Sequence, residues 1–233
     1  ERFIFMILYR SIPFLTVSES TRRELVVWGI PSGNITVIHN GVNVVKVKVK
    51  KEREKTAIFL GAIMRDKGIE DALEVFSLIN KSDGNWQFWV VGKGESDYIH
   101  NLKFEIKNLK LGKKVKFWGF VDENKKFELL ARAHVLINPS VREGWGLVNI
   151  EANSVGTPVV GYKVAGLTDS VKNGETGILV KYGDRQSLTS SVMKLSHNGK
   201  LYSKFQKNSI KWSKKFRWGK TTKKSLKLIE SMV

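Results

Sequence analysis

Val135-Leu136-Ile137-Asn138-Pro139-Ser140-Val141-Arg142-Glu143-Gly144-Trp145-Gly146-Leu147-Val148-Asn149-Ile150-Glu151 reads as a short buried strand, a glycine-rich turn and the opening of a helix. The run Val135–Asn138 is too short for a buried helix and has the length of a strand covered on both faces. Gly144 and Gly146 loosen the backbone where a helix over about 147–155 should begin.

The same unit recurs on both sides. Ala57–Leu60, Trp86–Val91, Val115–Trp118, Pro158–Gly161 and Gly177–Val180 read as further strands, alternating with helices over about 69–79, 96–109, 124–131 and 167–172. Short apolar strands alternating with helices predict an α/β fold, here one Rossmann-like doubly wound parallel sheet over 56–186. Ligands of such sheets gather at the carboxyl ends of the strands. The glycine-bearing turns 61–68, 92–95, 119–123 and 139–147 are therefore expected on one rim.

Ahead of this domain, Ile12–Val17 and Ile35–Ile38 read as strands around a helix over about 21–28, capped within Ser18-Glu19-Ser20. Residues 42–55 alternate valine with lysine and then become charged, which predicts a connector or an edge strand. Residues 187–233 read as basic helices, with Trp212, Phe216 and Trp218 as packing anchors.

Hydrophobic residues make up 42% of the 233, enough for a core rather than a disordered chain. There is no cysteine, which excludes disulfides, thiolate metal sites and cysteine nucleophiles. His39, His100, His134 and His197 lack ligand spacing, so no metal is expected. No apolar run reaches the length of a membrane span, and Phe3–Leu8 is too short for a signal peptide. The formal charge is +18, and residues 194–229 carry eleven lysines and Arg217 with no acid. That balance fits an anionic partner or a solvated basic face, and composition does not separate the two.

Three segments meet at the expected rim. Gly61-Ala62-Ile63-Met64-Arg65-Asp66-Lys67-Gly68 offers close backbone approach and a lysine for phosphate. On the residues alone, an ordinary turn with a surface lysine explains it better. In 139–151 a helix N-terminus presents free N–H groups that suit a diphosphate. Glu143 and Glu151 beside it suit sugar hydroxyls better than phosphate. Dipole compensation explains Glu143 alone but not Glu151, which lies among small and apolar neighbours. The third segment, 156–180, reads mostly as packing and turns.

Taken in order and spacing, these pieces resemble the carboxyl-terminal domain of family-4 retaining glycosyltransferases of the GT-B fold. The resemblance runs from about Thr16 to the C-terminus. It includes Val17-Ser18-Glu19-Ser20-Thr21, Val37-Ile38-His39-Asn40-Gly41-Val42, Val91-Gly92-Lys93-Gly94, Phe117-Trp118-Gly119-Phe120-Val121, and the paired glutamates Glu143 and Glu151 with seven residues between them.

The resemblance implies a donor site for a UDP-, GDP- or ADP-linked sugar. Glu143 would hold hydroxyls of the transferred hexose and Glu151 those of the ribose. Backbone near Gly144, Trp145, Gly146, Leu147 and Val148 would meet the sugar and phosphates. Lys67 would neutralise the leaving diphosphate, with Gly61 in the same turn. Gly119 and Val121 would hold the base, beside Gly92 and Gly94. It implies metal-independent retaining transfer to a glycan or lipid-linked acceptor, with electrostatic stabilisation of the leaving group. Nucleotide-sugar epimerases and sugar synthases share the two-domain fold; the Glu143-Gly-Trp-Gly turn and the paired glutamates argue against the epimerase.

Two departures qualify this. The family carries an arginine directly after the glycine of the lysine turn; this chain has Ala62, and Arg65 is expected to compensate. Residues 1–41 correspond only to the tail of an amino-terminal acceptor domain, so the chain is expected to bind donor and to transfer sugar poorly by itself. A non-catalytic nucleotide-binding or partner-docking module is the alternative reading. Residues 3–17 invite self-association, and 194–229 suit an anionic membrane surface, giving a cytoplasmic protein peripheral to the membrane. Nucleic acid is not expected, because the lysines lack interleaved aromatics.

Overall fold

The computed structural model describes residues 8–43, 45, 47 and 49–231. Phe3–Ile7, the apolar start of the segment expected to self-associate, and part of the Val/Lys alternation in the connector lie outside those residues.

Among the described residues, six parallel strands form one sheet: β3 (Lys55–Leu60), β4 (Trp86–Val91), β5 (Val115–Gly119), β6 (Val135–Asn138), β7 (Val159–Tyr162) and β8 (Gly177–Val180). Their spatial order is β5-β4-β3-β6-β7-β8. That is the 3-2-1-4-5-6 order of a doubly wound sheet, with its switch point between β3 and β6.

Strand alternation builds two cores. Ala57, Phe59, Phe88, Val90, Val135 and Ile137 face one side. There they meet α2 (Ile69–Ser82), α3 (Ser96–Asn108), α7 (Arg185–His197) and α8 (Gly199–Ser213) through Leu73, Phe76, Leu102, Ile106, Leu188, Val192 and Phe205. Ile58, Trp89, Val91, Leu136 and Val159 face the other side. They meet α4 (Glu123–Arg132) and α5 (Leu147–Ser154) through Phe127, Leu130 and Ala152, and α6 (Leu167–Ser170) through Leu167. The connector contributes here: Val45 and Val47 pack against this second cluster.

Caps fix several helix starts. Asp122, Asp184 and Asn198 accept from the backbone of Lys125, Ser187 and Leu201, which starts α4, α7 and α8. Ser18 does the same for α1 (Glu19–Val27), so that helix begins two residues before the expected Thr21.

Residues 14–37 form a small βαβ unit, in which β1 (Phe14–Thr16) pairs in parallel with β2 (Ile35–Val37). It is anchored to the carboxyl-terminal helices. The Val42 amide donates to Phe216 O at 2.8 Å, and the Thr221 hydroxyl donates to His39 O at 2.9 Å. Two of the three expected aromatic anchors pack: Trp212 and Phe216 join Trp145 and Val42 in a third apolar cluster. Trp218 opens α9 (Trp218–Glu230) and is 44% exposed. No residue of α9 is buried.

Candidate functional site

The switch point brings the turn after β3 against the turn after β6. The Val141 amide donates to Asp66 O at 3.0 Å. Gly68, at φ +73°, lies so close to the second turn that a Cβ would stand 2.1 Å from Pro139 O. Backbone contact at that range leaves no room for a side chain. Lys67 and Glu143 cross this seam: Lys67 Nζ is 2.7 Å from Glu143 Oε1, and the Ser140 hydroxyl donates to the same oxygen at 2.9 Å.

A chain of buried polar groups holds the Glu143 turn. Asn138 donates to Asn149 Oδ1 at 2.8 Å, and Asn149 donates to Ser170 Oγ at 2.9 Å. The Glu143 amide donates to Ala165 O at 3.2 Å. The turn is thus braced from β6, α5 and α6. It leads through Gly146 into α5, and among the described residues no side chain caps that helix start. Its leading N–H groups face the rim with the partial positive charge of a helix end.

Glu151 lies one turn along α5, with its side chain 9% exposed and Lys126 Nζ 2.7 Å from its Oε1. Burial raises the Glu151 pKa above the ordinary carboxylate value, against the hydrogen bond and charge of Lys126. Burial also acts to lower the Lys126 pKa, but its bonds to Glu123 and Glu151 prevail and raise it. A lysine in the first turns of a helix opposes the dipole. Lys126 is tolerated there because two carboxylates hold it.

Glu151, Lys126 and Glu123 line a cleft of about 570 Å³ built from the ends of β3 and β4, the start of α5 and the β5–α4 turn, with Gly61, Gly92, Val121, Leu147 and Val148 also in its wall. A second cleft of about 680 Å³ adjoins it, walled by Ile63, Met64, Arg65, Gly94 and Tyr98. Among the described residues no group of three or more His, Asp or Glu is placed to hold a metal ion.

Most of the expected site residues converge. Gly61, Gly92, Val121, Leu147, Val148 and Glu151 share the first cleft, and Lys67 and Glu143 form the seam at the switch point. Gly119 closes β5 and supports Gly92, whose amide donates to Gly119 O at 2.9 Å. Gly144 is an exposed turn residue, and Gly94 lies in the second cleft.

Arg65 and Trp145 lie outside the first cleft. Arg65, expected to compensate for Ala62, has an 83% exposed side chain, pairs with Glu70 at 3.5 Å and lines the second cleft together with Ala62. Trp145 is 4% exposed; its ring stacks on His39 at 4.2 Å and meets Phe216 edge-on. It ties the turn to the carboxyl-terminal body and is absent from the cleft wall. Sequence reasoning did not single out Lys126. The available signal was a lysine in the first turns of a rim helix.

The chain is 31% identical over 189 residues to an uncharacterised glycosyltransferase of Methanocaldococcus jannaschii, covering 74% of this chain and 47% of the relative. It is 27% identical over 184 residues to the glycogen synthase of Mycobacterium tuberculosis, covering 76% and 44% respectively. The chain thus spans about half the length of the curated relatives it matches. Among solved structures, sucrose-phosphate synthase from Thermosynechococcus elongatus superposes with a TM-score of 0.87 at 22% identity, over 99% of this chain and 61% of that one. Anabaena HepE in complex with UDP and glucose does so with 0.86 at 19% identity, over 99% and 66%. At such identities these two structures establish the fold. The model of glycosyl transferases group 1 matches residues 43–212, and with that match the chain belongs to this family.

Proposed function

We propose that this chain is the donor-binding half of a retaining glycosyltransferase that moves a hexose from a nucleoside diphosphate to a glycan or lipid-linked acceptor. The observation that carries this is the pair of carboxylates around the start of α5, each held by a lysine: Glu143 by Lys67 and Glu151 by Lys126, both at 2.7 Å. A bare phosphate site would not place two acids there. A ligand with hydroxyl groups on both sides of a diphosphate needs acceptors at both ends and positive charge between them.

In this reading Glu151 accepts from the ribose hydroxyls and Glu143 from the sugar. The α5 N–H groups and Lys67 meet the diphosphate. As the bond to the anomeric carbon breaks, negative charge grows on the departing phosphate. In this reading Lys67, on loosening its bond to Glu143, and the helix end meet that charge and stabilise it electrostatically. Neither glutamate acts as nucleophile in this scheme, so the carboxylate spacing of glycosidases does not apply. HepE was crystallised with UDP-glucose, which supports a UDP-sugar donor as the first to test.

Calorimetric titration with UDP, GDP and ADP and their common sugar conjugates tests the reading. One base should be preferred, and one sugar conjugate should bind differently from its free nucleotide. Equal binding of all three, or none, would instead favour a non-catalytic module.

Contact of residues 194–229 with an anionic membrane surface remains a proposal. It is supported by α9, where Trp218, Leu226 and Ile229 are exposed on one side and Lys220, Lys223, Lys224 and Lys227 lie on the other. Among the described residues no helix is long and apolar enough to cross a membrane. Loss of co-sedimentation with anionic vesicles on replacing those four lysines by glutamine would support the contact; no co-sedimentation at low salt would remove it.

A further inference from the structure

The two clefts meet at two residues, Ala62 and Lys93, which line both. Both are exposed. Three cations line this double cleft, and two of them are already engaged. Arg65 is paired with Glu70 and Lys126 with Glu123 and Glu151, while Lys67, at the switch-point seam, is paired with Glu143. Lys93 forms no ion pair among the described residues. Its Nζ lies 4.7 Å from the centroid of the Phe120 ring, which is itself 71% exposed.

The backbone leaves Lys93 little choice of position. The Ile63 amide donates to Lys93 O at 2.6 Å. Gly92 just before it, at φ +147°, packs so tightly that a Cβ would lie 1.8 Å from Gly61 O. The turns after β3, β4 and β5 are thereby stitched together with Lys93 at the seam. Beside it, Ala62 offers only a methyl group, so the space at the junction is open.

We propose that Lys93 is a diphosphate-binding residue of the donor site, reaching the space that the short side chain of Ala62 leaves. The proposal rests on the donor reading given above. An anion can be met by Lys93 at the cost of a solvent-exposed aromatic contact alone. Lys67 and Lys126 can turn to an anion only by loosening a mostly buried carboxylate, which makes each a costlier first contact. Lys93 therefore supplies the uncommitted charge for the phosphate next to the nucleoside. Lys67 serves the phosphate next to the sugar.

The test is titration of the chain and Lys93→Gln with the nucleoside diphosphate bound best among UDP, GDP and ADP, and with its parent nucleoside. Losing one charge-assisted contact should weaken diphosphate binding about tenfold or more and leave nucleoside binding unchanged. In the Lys93→Gln background, Ala62→Arg should restore much of the lost affinity, because a guanidinium at 62 reaches the same space. If Lys93→Gln binds the diphosphate as wild type does, or loses nucleoside to the same degree, the assignment is wrong. Failure of Ala62→Arg to rescue a weakened Lys93→Gln would overturn the placement at the junction. If the unaltered chain binds none of the three nucleotides, the donor reading itself fails. Binding by both proteins alike sinks Lys93 alone.

Discussion

Lys67 and Glu143 stand 76 residues apart in the chain and 2.7 Å apart in space. Their pair joins the turn after β3 to the turn after β6, across the place where the strand order reverses. Each is 31% or less exposed, so the pair is partly shielded and firmer than a surface bridge. Lys67→Met should weaken nucleoside diphosphate binding by about tenfold to a hundredfold, the worth of a charge-assisted hydrogen bond. Glu143→Gln should leave free nucleotide affinity within a factor of about three and erase the difference between sugar conjugates. Calorimetry on both variants separates the roles.

Glu151 makes a separate prediction about the ribose. Its carboxylate should favour ribonucleotide over 2′-deoxynucleotide, and Glu151→Gln should lessen that preference. Burial raises its pKa, against Lys126. Protonation removes an acceptor, so nucleotide affinity should decline on acidification from a pH above the ordinary carboxylate range. Titrations across mildly acid pH check this; a decline confined to the range of a free glutamate would contradict it.

Lys51 predicts a stability profile unrelated to the site. Its ammonium is buried against Ala133 O and the Thr157 hydroxyl, and desolvation lowers its pKa to about 7 from 10.5. Between those values the folded chain binds fewer protons than the unfolded chain. Stability therefore rises with pH across that window and is lost as pH falls toward 7. Burial likewise lowers His134 to about 4 from 6.5, which adds a second loss on acidification through that lower range. Denaturant midpoints near pH 7 and about pH 9.5 should differ for the wild type and converge for Lys51→Met.

Gly68 tests the seam by its backbone. Gly68→Ala must place a Cβ against Pro139 O in a left-handed conformation, and should cost roughly 1–3 kcal/mol and weaken nucleotide binding together with stability. Gly84→Ala meets nothing within 4 Å and should stay within about 0.5 kcal/mol. Equal effects at the two positions would refute the close approach.

Much of this was legible in the residues. Val135–Asn138 and Gly177–Val180 form strands with the limits read from their apolar runs, because neighbouring turn residues end them abruptly. The strand expected at Pro158 starts one residue later, since proline has no N–H to give the ladder. The paired glutamates were visible because the turn and helix that hold them are continuous in sequence. Lys126 was not, because its contact with Glu151 depends on how α4 packs beside α5. Trp145 was placed with its neighbours in the turn, yet its ring is claimed by His39 and Phe216, distant residues brought in by the packing of both chain ends. The exposure of Arg65 likewise follows from a short turn whose direction its residue types do not encode.

The most direct test of the central claim is the affinity of the best nucleoside diphosphate for three proteins: the unaltered chain, Lys67→Met and Glu151→Ala. The account predicts saturable binding to the first and clear weakening in both variants, greater for the diphosphate than for the nucleoside in Lys67→Met. No binding to the unaltered chain, or affinities unchanged in both variants, would contradict it.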